Sequence, residues 1–106
     1  MDEDAVFKAL ADPTRRRLLD RLRARGGLAL SELAADADMT RQAVSKHLAV
    51  LERANLVATR RRGREKLHYL NPVPINAIAD RWIANFERTH LDALAKLKRS
   101  LERKTR

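Results

Sequence analysis

The sequence predicts a mainly α-helical fold with one small β-hairpin, in a single domain over residues 1–106. Three observations lead to this fold class. Apolar residues recur at helical spacing along most of the chain. Two short extended runs flank a glycine in the segment 57–70, as they would in a hairpin. Aromatic residues make up only 4% of the chain, so the core must consist mainly of aliphatic side chains.

Two helices are predicted before the glycine pair. The first spans residues 2–10 and begins with acidic side chains, which suit the positive end of a helix dipole. The second begins at Asp12 and Pro13, with the aspartate as N-cap and the proline in the first helical position. It ends at Gly26 and Gly27, because glycine readily adopts the left-handed backbone of a helix terminus.

The segment 30–54 predicts two helices joined by a tight turn. Ser31 is the predicted N-cap of the third helix, and Thr40 is the predicted N-cap of the fourth, over 41–54. Asp38 is the predicted turn residue, with a left-handed backbone. The apolar residues of the fourth helix fall at spacings of four and three and should face the core: Val44, Leu48 and Leu51.

The pattern changes to two strands after Asn55, which should end the fourth helix in the left-handed conformation. The strands are predicted at 57–60 and 66–70, on either side of a basic loop over 61–65. A long final helix is predicted from 74 to 104. Three helices, a fourth amphipathic helix, a hairpin and a last helix together make a winged helix-turn-helix.

The net charge of +9 is unevenly distributed. Residues 1–40 contain seven basic and eight acidic side chains, whereas residues 41–66 contain eight basic and only two acidic side chains. Lys and Arg release condensed counterions when they contact phosphates, so this segment favours a polyanionic partner. A solvated basic surface without a ligand is the alternative that charge alone leaves open.

Four short motifs occur in a characteristic order: residues 9–16 (ALADPTRR), 42–48 (QAVSKHL), 54–57 (ANLV) and 61–64 (RRGR). In this order the chain resembles small repressors of the ArsR/SmtB type, and the resemblance covers residues 5–71. It implies a dimer whose interface is formed by the first and last helices. Many members of that family sense metals through cysteines of the third helix. This chain has no cysteine, so it is expected to be a member that does not sense metals.

The resemblance and the charge distribution together indicate double-stranded DNA as the partner. The recognition helix 41–54 would lie in the major groove, while the basic wing 60–66 would follow phosphates or enter the minor groove. Arg41 can read guanine and Gln42 can read adenine through paired hydrogen bonds. The predicted DNA-binding residues are Thr40, Arg41, Gln42, Ser45, Lys46, Arg61, Arg62 and Arg64. For the arginines at 15–17, phosphate contact and a plain surface position stay equally open.

The final helix is too long for a domain of this size to cover. About 30 residues from 74 to 104 would extend about 45 Å at about 1.5 Å per residue. A homodimer is therefore expected, with its two recognition helices one DNA turn apart on an inverted repeat. The predicted interface residues are Val6, Phe7, Ile78, Trp82, Ile83 and Phe86. A folded-back tail, or a break near Thr89 and His90, is the alternative.

Other classes of function find little support in the residues. No nucleophile–base pair, phosphate loop or carboxylate pair stands out, so neither an enzyme nor a cofactor is expected. Asp80 and His90 are ten residues apart, which is not a metal-ligating helical spacing, and no metal is expected. His47 is expected to pack or to contact phosphate. The sequence has no apolar run that could span a membrane and starts with acidic residues, which favours a cytoplasmic protein.

The predicted function is a sequence-specific DNA-binding transcriptional regulator. It would act as a homodimeric repressor on an inverted-repeat operator, through the recognition helix 41–54 and the wing 60–66. Two alternatives stay open. One is an adaptor that uses the winged helix to dock another protein. The other is a non-specific nucleic-acid coating protein, which the basic C-terminal tail favours.

Overall fold

The structure is a computed structural model and describes residues 2–83 and 88–104. The chain divides into two compact units, Met1–Asn76 and Ala77–Arg106. The first unit contains the predicted helix-turn-helix and wing. The second contains most of the predicted final helix. One domain over residues 1–106 stays a prediction.

The first unit has the predicted mainly helical architecture with a small antiparallel sheet. Its elements are α1 (Glu3–Leu10), α2 (Pro13–Ala24), β1 (Leu28–Ala29), α3 (Leu30–Ala35), α4 (Arg41–Arg53), β2 (Val57–Arg62) and β3 (Glu65–Leu70). Here α3 and α4 are the helix-turn-helix, and β2 and β3 are the wing. The fold class is confirmed as a winged helix-turn-helix.

The second helix begins where the sequence predicts and the first begins one residue later, and in both helices an aspartate satisfies free N–H groups. The side chain of Asp2 accepts a hydrogen bond from the N–H of Ala5, at 3.1 Å. The side chain of Asp12 accepts from Thr14 at 2.7 Å and from Arg15 at 3.2 Å. Each cap satisfies donors that have no partner within the helix.

The predicted start of the third helix is wrong by two residues. The helix begins at Leu30, and Ala29 rather than Ser31 occupies the N-cap position. The reason is that Leu28 and Ala29 form a strand that leads directly into the helix. The carboxylate of Glu32 accepts the N–H of Ala29 at 3.1 Å, so the N–H of the N-cap residue has a partner although no side chain caps the first turn.

The sheet has three strands in the order β1-β3-β2, one strand more than the hairpin that was predicted. Leu28 and Ala29 of β1 pair with His68 and Leu67 of β3. The wing loop is also shorter than predicted, because Arg62 pairs with Glu65 across a two-residue turn. The basic residues on either side of that turn therefore belong to strands.

The backbone supports one predicted left-handed position after a helix and contradicts another. Asn55 has φ 62° and ends α4, as predicted. Asp38 is not left-handed, since Asn55 is the one non-glycine residue with positive φ in the described part of the chain. The turn before α4 spreads over residues 36–39 and needs no left-handed residue at that point.

The core of the first unit is aliphatic, and the recognition helix α4 presents one face to it. Val44, Leu48 and Leu51 are buried, which confirms the predicted stripe. They share the interior with buried residues of every other helix and strand of the unit, among them Val6, Leu18, Leu22, Leu33, Leu56 and Leu67. Truncating such a leucine to alanine typically costs about 2–5 kcal/mol. This packing holds α4 by one side and leaves its other side outward.

Two helices occupy the region predicted as one final helix, α5 (Val73–Ile83) and α6 (Arg88–Lys104). Residues 84–87 lie outside the described residues. The start at Val73 is one residue earlier than predicted, and the side chain of Asn71 accepts the N–H of Val73 at 3.2 Å. The leucines of α6 are exposed: Leu91, Leu94, Leu97 and Leu101. No helix within the described ranges is long and apolar enough to cross a membrane.

Candidate nucleic-acid interface

The recognition helix α4 exposes a polar face opposite its buried stripe. Arg41, Gln42, Ser45 and Lys46 are all exposed. Thr40 caps the helix, with its hydroxyl oxygen accepting the N–H of Ala43 at 3.1 Å. A hydroxyl that accepts one bond still has its own O–H to donate, so this cap can also contact a phosphate. All five predicted residues of this segment therefore offer polar groups at one end of the helix.

A groove of about 300 Å³ separates this helix from the wing. Arg41 and Ser45 line it from α4, and Arg64 and Lys66 line it from the wing. Two carboxylates, Glu52 and Glu65, line it as well. The fold thus brings the N-terminal part of the recognition helix and the wing, which are about 20 residues apart in the sequence, to the two sides of one cleft.

The three predicted wing arginines are exposed but do not face the same way. Arg64 lines the groove beside α4. Arg61 and Arg62 line a separate shallow depression of about 280 Å³, together with Leu67 and Tyr69. The predicted set is therefore split between two separate depressions.

The base of the wing is fixed to the rest of the unit by hydrogen bonds. His68 is buried and its Nδ1 lies 2.9 Å from the carbonyl oxygen of Leu28. A carbonyl only accepts, so the imidazole proton is on Nδ1. Asn71 donates its backbone N–H to Leu56 and its side-chain amide to Asn55, both at 2.9 Å. These contacts anchor the ends of the hairpin that are farthest from the turn.

An ion pair that the sequence did not reveal joins the wing to α4. Lys66 Nζ lies 2.7 Å from Glu52 Oε1. The two residues are fourteen apart in the sequence and belong to different kinds of element. No periodicity links them, and only the position of the hairpin against the helix brings them together.

Arg15 has a structural role, which is neither of the two alternatives left open for the arginines at 15–17. Its guanidinium donates to the backbone oxygens of Ala9 at 2.8 Å and Lys8 at 3.0 Å. Its Nη1 lies 3.3 Å from Nδ1 of His47, on the recognition helix. The side chain is only 15% exposed. Arg15 thus connects the end of α1 to α4 rather than presenting its charge to solvent.

The next two arginines have looser surroundings. Arg16 is exposed and donates to the backbone oxygen of Leu10 at 2.7 Å. Arg17 is exposed and donates to the hydroxyl of Thr14 at 3.1 Å. For these two residues both alternatives stay open, because neither side chain is withdrawn from the surface.

His47 and Asp12 complete the cluster around Arg15. A guanidinium only donates, so Nδ1 of His47 accepts and this contact requires a neutral imidazole with its proton on Nε2. Partial burial raises the pKa of Asp12, but the N–H groups of Arg15 and Thr14 and the charge of Arg15 outweigh burial. The pKa of the Asp12 carboxyl is therefore lower than its ordinary value. The packing role predicted for His47 agrees with this contact.

The predicted dimer residues differ in what they can offer a partner. Phe7 is 46% exposed, Trp82 is 57% exposed and Ile83 is 46% exposed. Val6 is completely buried and Ile78 is only 9% exposed, so neither side chain offers much accessible surface. Helical spacing placed them on an apolar side without distinguishing core from surface, and the interface residues stay a prediction. Phe86 lies outside the described residues.

No cluster of three or more metal-ligating side chains was found in residues 2–83 and 88–104.

Known proteins resemble this chain in both sequence and structure. Residues 10–60 match the family described as a helix-turn-helix domain. The chain is 43% identical over 88 residues to the uncharacterized HTH-type transcriptional regulator YuzN of Bacillus subtilis (strain 168), covering 77% of this chain and 96% of YuzN. It is 32% identical over 81 residues to the transcriptional repressor SdpR of the same organism, covering 76% of this chain and 88% of SdpR.

Among solved structures, the ArsR family transcriptional regulator RHA00566 is similar, with a TM-score of 0.66 and 36% identity. The match covers 76% of this chain and 81% of that chain. The resemblance predicted from the sequence motifs is confirmed by these similarities. This chain belongs to the ArsR family of helix-turn-helix transcriptional regulators.

Proposed function

We propose that the protein is a homodimeric repressor that binds an inverted-repeat operator through α4 and the wing. The observation that carries the proposal is the groove between these elements, with Arg41 and Ser45 on one side and Arg64 and Lys66 on the other. A duplex offers base edges in its major groove and phosphates beside it. A helix and a basic hairpin on either side of a cleft match that arrangement.

Base reading falls to the first turn of α4. Arg41 and Gln42 are exposed and directly follow the helix cap. In helix-turn-helix proteins the N-terminal residues of the recognition helix lie closest to the bases. An arginine pairs well with guanine and a glutamine with adenine, and each good pair contributes about 1–3 kcal/mol of discrimination.

Phosphate binding falls to the remaining polar residues. Ser45 and Lys46 lie one turn further along α4 than Arg41 and Gln42 and are exposed. The hydroxyl of Thr40 and the guanidinium of Arg64 are available from the helix cap and the wing. Such contacts set affinity and orientation, and they make binding strongly dependent on salt.

Dimerisation is supported by large apolar side chains that the described residues leave exposed. Phe7 of α1 and Trp82 and Ile83 of α5 are each more than two-fifths exposed. The leucines of α6 form a second apolar stripe. Monomeric proteins rarely expose so many large apolar residues, and a second copy is the partner that would cover them. In a twofold dimer the recognition helices would contact half-sites about 34–36 Å apart.

Selection of bound duplexes from a random pool tests this proposal. We expect one motif to be enriched, with two inverted halves centred about 10 base pairs apart. The selected duplex should bind at least about a thousandfold more tightly than random duplex. Equal affinity for both would indicate the coating protein instead, and no DNA binding at all would indicate the adaptor.

Matched substitutions assign the reading residues. Gln42→Ala should lower affinity for the selected duplex and relax the preference at one base pair, while affinity for random duplex stays the same. Lys46→Ala should lower both affinities. Arg23→Ala is the control, because Arg23 is an exposed cation near the end of α2 and does not line the groove beside α4. Intact specificity after Gln42→Ala would refute the assigned role.

A further inference from the structure

The ion pair between Glu52 and Lys66 is the polar side-chain contact that ties the outer wing to a helix. Residues 60–66 are all exposed. Among the side-chain hydrogen bonds and ion pairs of the described residues, this pair alone connects that segment to α4, at 2.7 Å. The side chain of Glu52 is 25% exposed and that of Lys66 is 45% exposed. Both residues line the groove.

The pair lies on the turn side of the points where β3 is anchored, because Leu67, the next residue along the strand, pairs with Ala29 of β1. The hydrogen bonds of His68 and Asn71 hold the base of the wing. The turn at Gly63 and Arg64 lies two to three residues beyond Lys66, about 7–10 Å at about 3.3 Å per residue. A small rotation of the hairpin about its base therefore displaces Arg64 by several times the movement at the base.

Affinity for DNA does not explain a carboxylate in this position. Glu52 lines a groove that the proposed function places against phosphates, and a carboxylate there repels the polyanion. In the free protein Glu52 also forms an ion pair with Lys66, whose charge would otherwise be available to a phosphate. Both effects lower attraction to DNA of any sequence. What the pair does supply is a fixed spacing between helix and wing.

We propose that Glu52 and Lys66 are positioning residues that set this spacing and thereby increase discrimination between the operator and other DNA. The proposal rests on the proposed function. When the wing is held at one distance from α4, the wing can contact phosphates and α4 can contact bases at the same time only on the correct sequence. A loose wing can reach phosphates on any duplex, so its contacts no longer depend on the register of the recognition helix.

Glu52→Gln tests the proposal in the full chain, with affinities measured for the selected duplex and for random duplex. We expect the ratio of the two affinities to fall about fivefold, within the range of coupling found between residues in contact. Affinity for random duplex should stay the same or rise, because a negative charge is removed. Thermal unfolding of the variant should match the parent, since the residue is on the surface.

Glu65→Gln is the matched control. Glu65 lines the same groove and forms no ion pair among the described residues. Its neutralisation removes the same charge and should change both affinities by the same factor. Exchange of the two charges, Glu52→Lys with Lys66→Glu, should restore the ratio that either single reversal lowers.

Equal changes in the ratio for Glu52→Gln and Glu65→Gln would overturn the proposal, because a purely electrostatic effect predicts that result. Failure of the exchanged pair to restore the ratio would overturn it as well. These outcomes differ from failure of the proposed function, in which the unmodified chain itself shows no preference for one duplex.

Discussion

Arg15→Met is the substitution that most directly tests how α4 is held. Methionine keeps much of the length and apolar volume of the side chain and removes the guanidinium. The change deletes the hydrogen bonds to the backbone oxygens of Ala9 and Lys8 and the contact with His47. Two helices of the first unit, α1 and α4, lose a common donor.

The expected loss of stability follows from the burial of each partner. The part-buried carbonyl of Ala9 is left without this donor, which costs about 1–3 kcal/mol. The exposed carbonyl of Lys8 can bind water instead and adds little. The contact between Arg15 and His47 contributes about 0.5–1.5 kcal/mol. We therefore expect the free energy of unfolding to fall by about 2–4 kcal/mol.

Urea unfolding at one fixed protein concentration measures this loss, because dimerisation would otherwise make the midpoint depend on concentration. Arg16→Met is the control: the neighbouring arginine also bonds a helix-end carbonyl, that of Leu10, but is exposed. It should lower the free energy of unfolding by less than about 1 kcal/mol. Equal losses in the two variants would refute the structural role of Arg15.

Three further predictions concern the turn, the acid range and the wing. Gly27→Ala should destabilise the fold by about 1–2 kcal/mol, because φ is +78° and the new Cβ would lie 3.2 Å from the Tyr69 hydroxyl. Gly63→Ala, at φ +61° in open space, should cost less, and urea unfolding of both variants checks the order. The stabilisation from ionised Asp12 should be present above its unfolded-state pKa and lost as pH falls through its lowered folded-state pKa. Unfolding of Asp12→Asn across acidic pH should converge with the parent, and a constant difference would contradict the prediction. Arg62→Ala should lower the salt dependence of DNA affinity by about one unit in the log–log slope if that arginine contacts a phosphate, and an unchanged slope would exclude the contact.

Features that depend on neighbouring residues were predictable from the sequence. Asp12 caps α2 and Thr40 caps α4 because an oxygen two or three residues before the free N–H groups suffices. Asn55 ends α4 because it is one of few residue types that tolerate the left-handed backbone. The spacing of Val44, Leu48 and Leu51 identifies the buried face of α4, because residues three or four apart lie on the same side of a helix.

Features that depend on distant partners were not predictable in this way. The strand at Leu28 and Ala29 has only two residues, too few for an alternating pattern. Leu28 pairs with His68, which is forty residues further along the chain. That strand is also why Ser31 lies inside α3 rather than at its start. Val6 and Phe7 are adjacent on one helix, and only the packing of that helix decides that one is core and the other surface.

The contacts on the two sides of the recognition helix α4 also depend on residues distant in the sequence, and they explain how the helix is oriented. At about 100° per residue, His47 and Glu52 lie about 140° apart around α4, on either side of its buried stripe. His47 meets Arg15 from α2 on one side, and Glu52 meets Lys66 from the wing on the other. The buried stripe alone allows the helix to roll by a small angle, since aliphatic contacts have no preferred direction. Two directional contacts on opposite flanks oppose that roll, and they fix which side chains of α4 face outward. A substitution at either flank should therefore alter which bases are read without touching a base-reading residue.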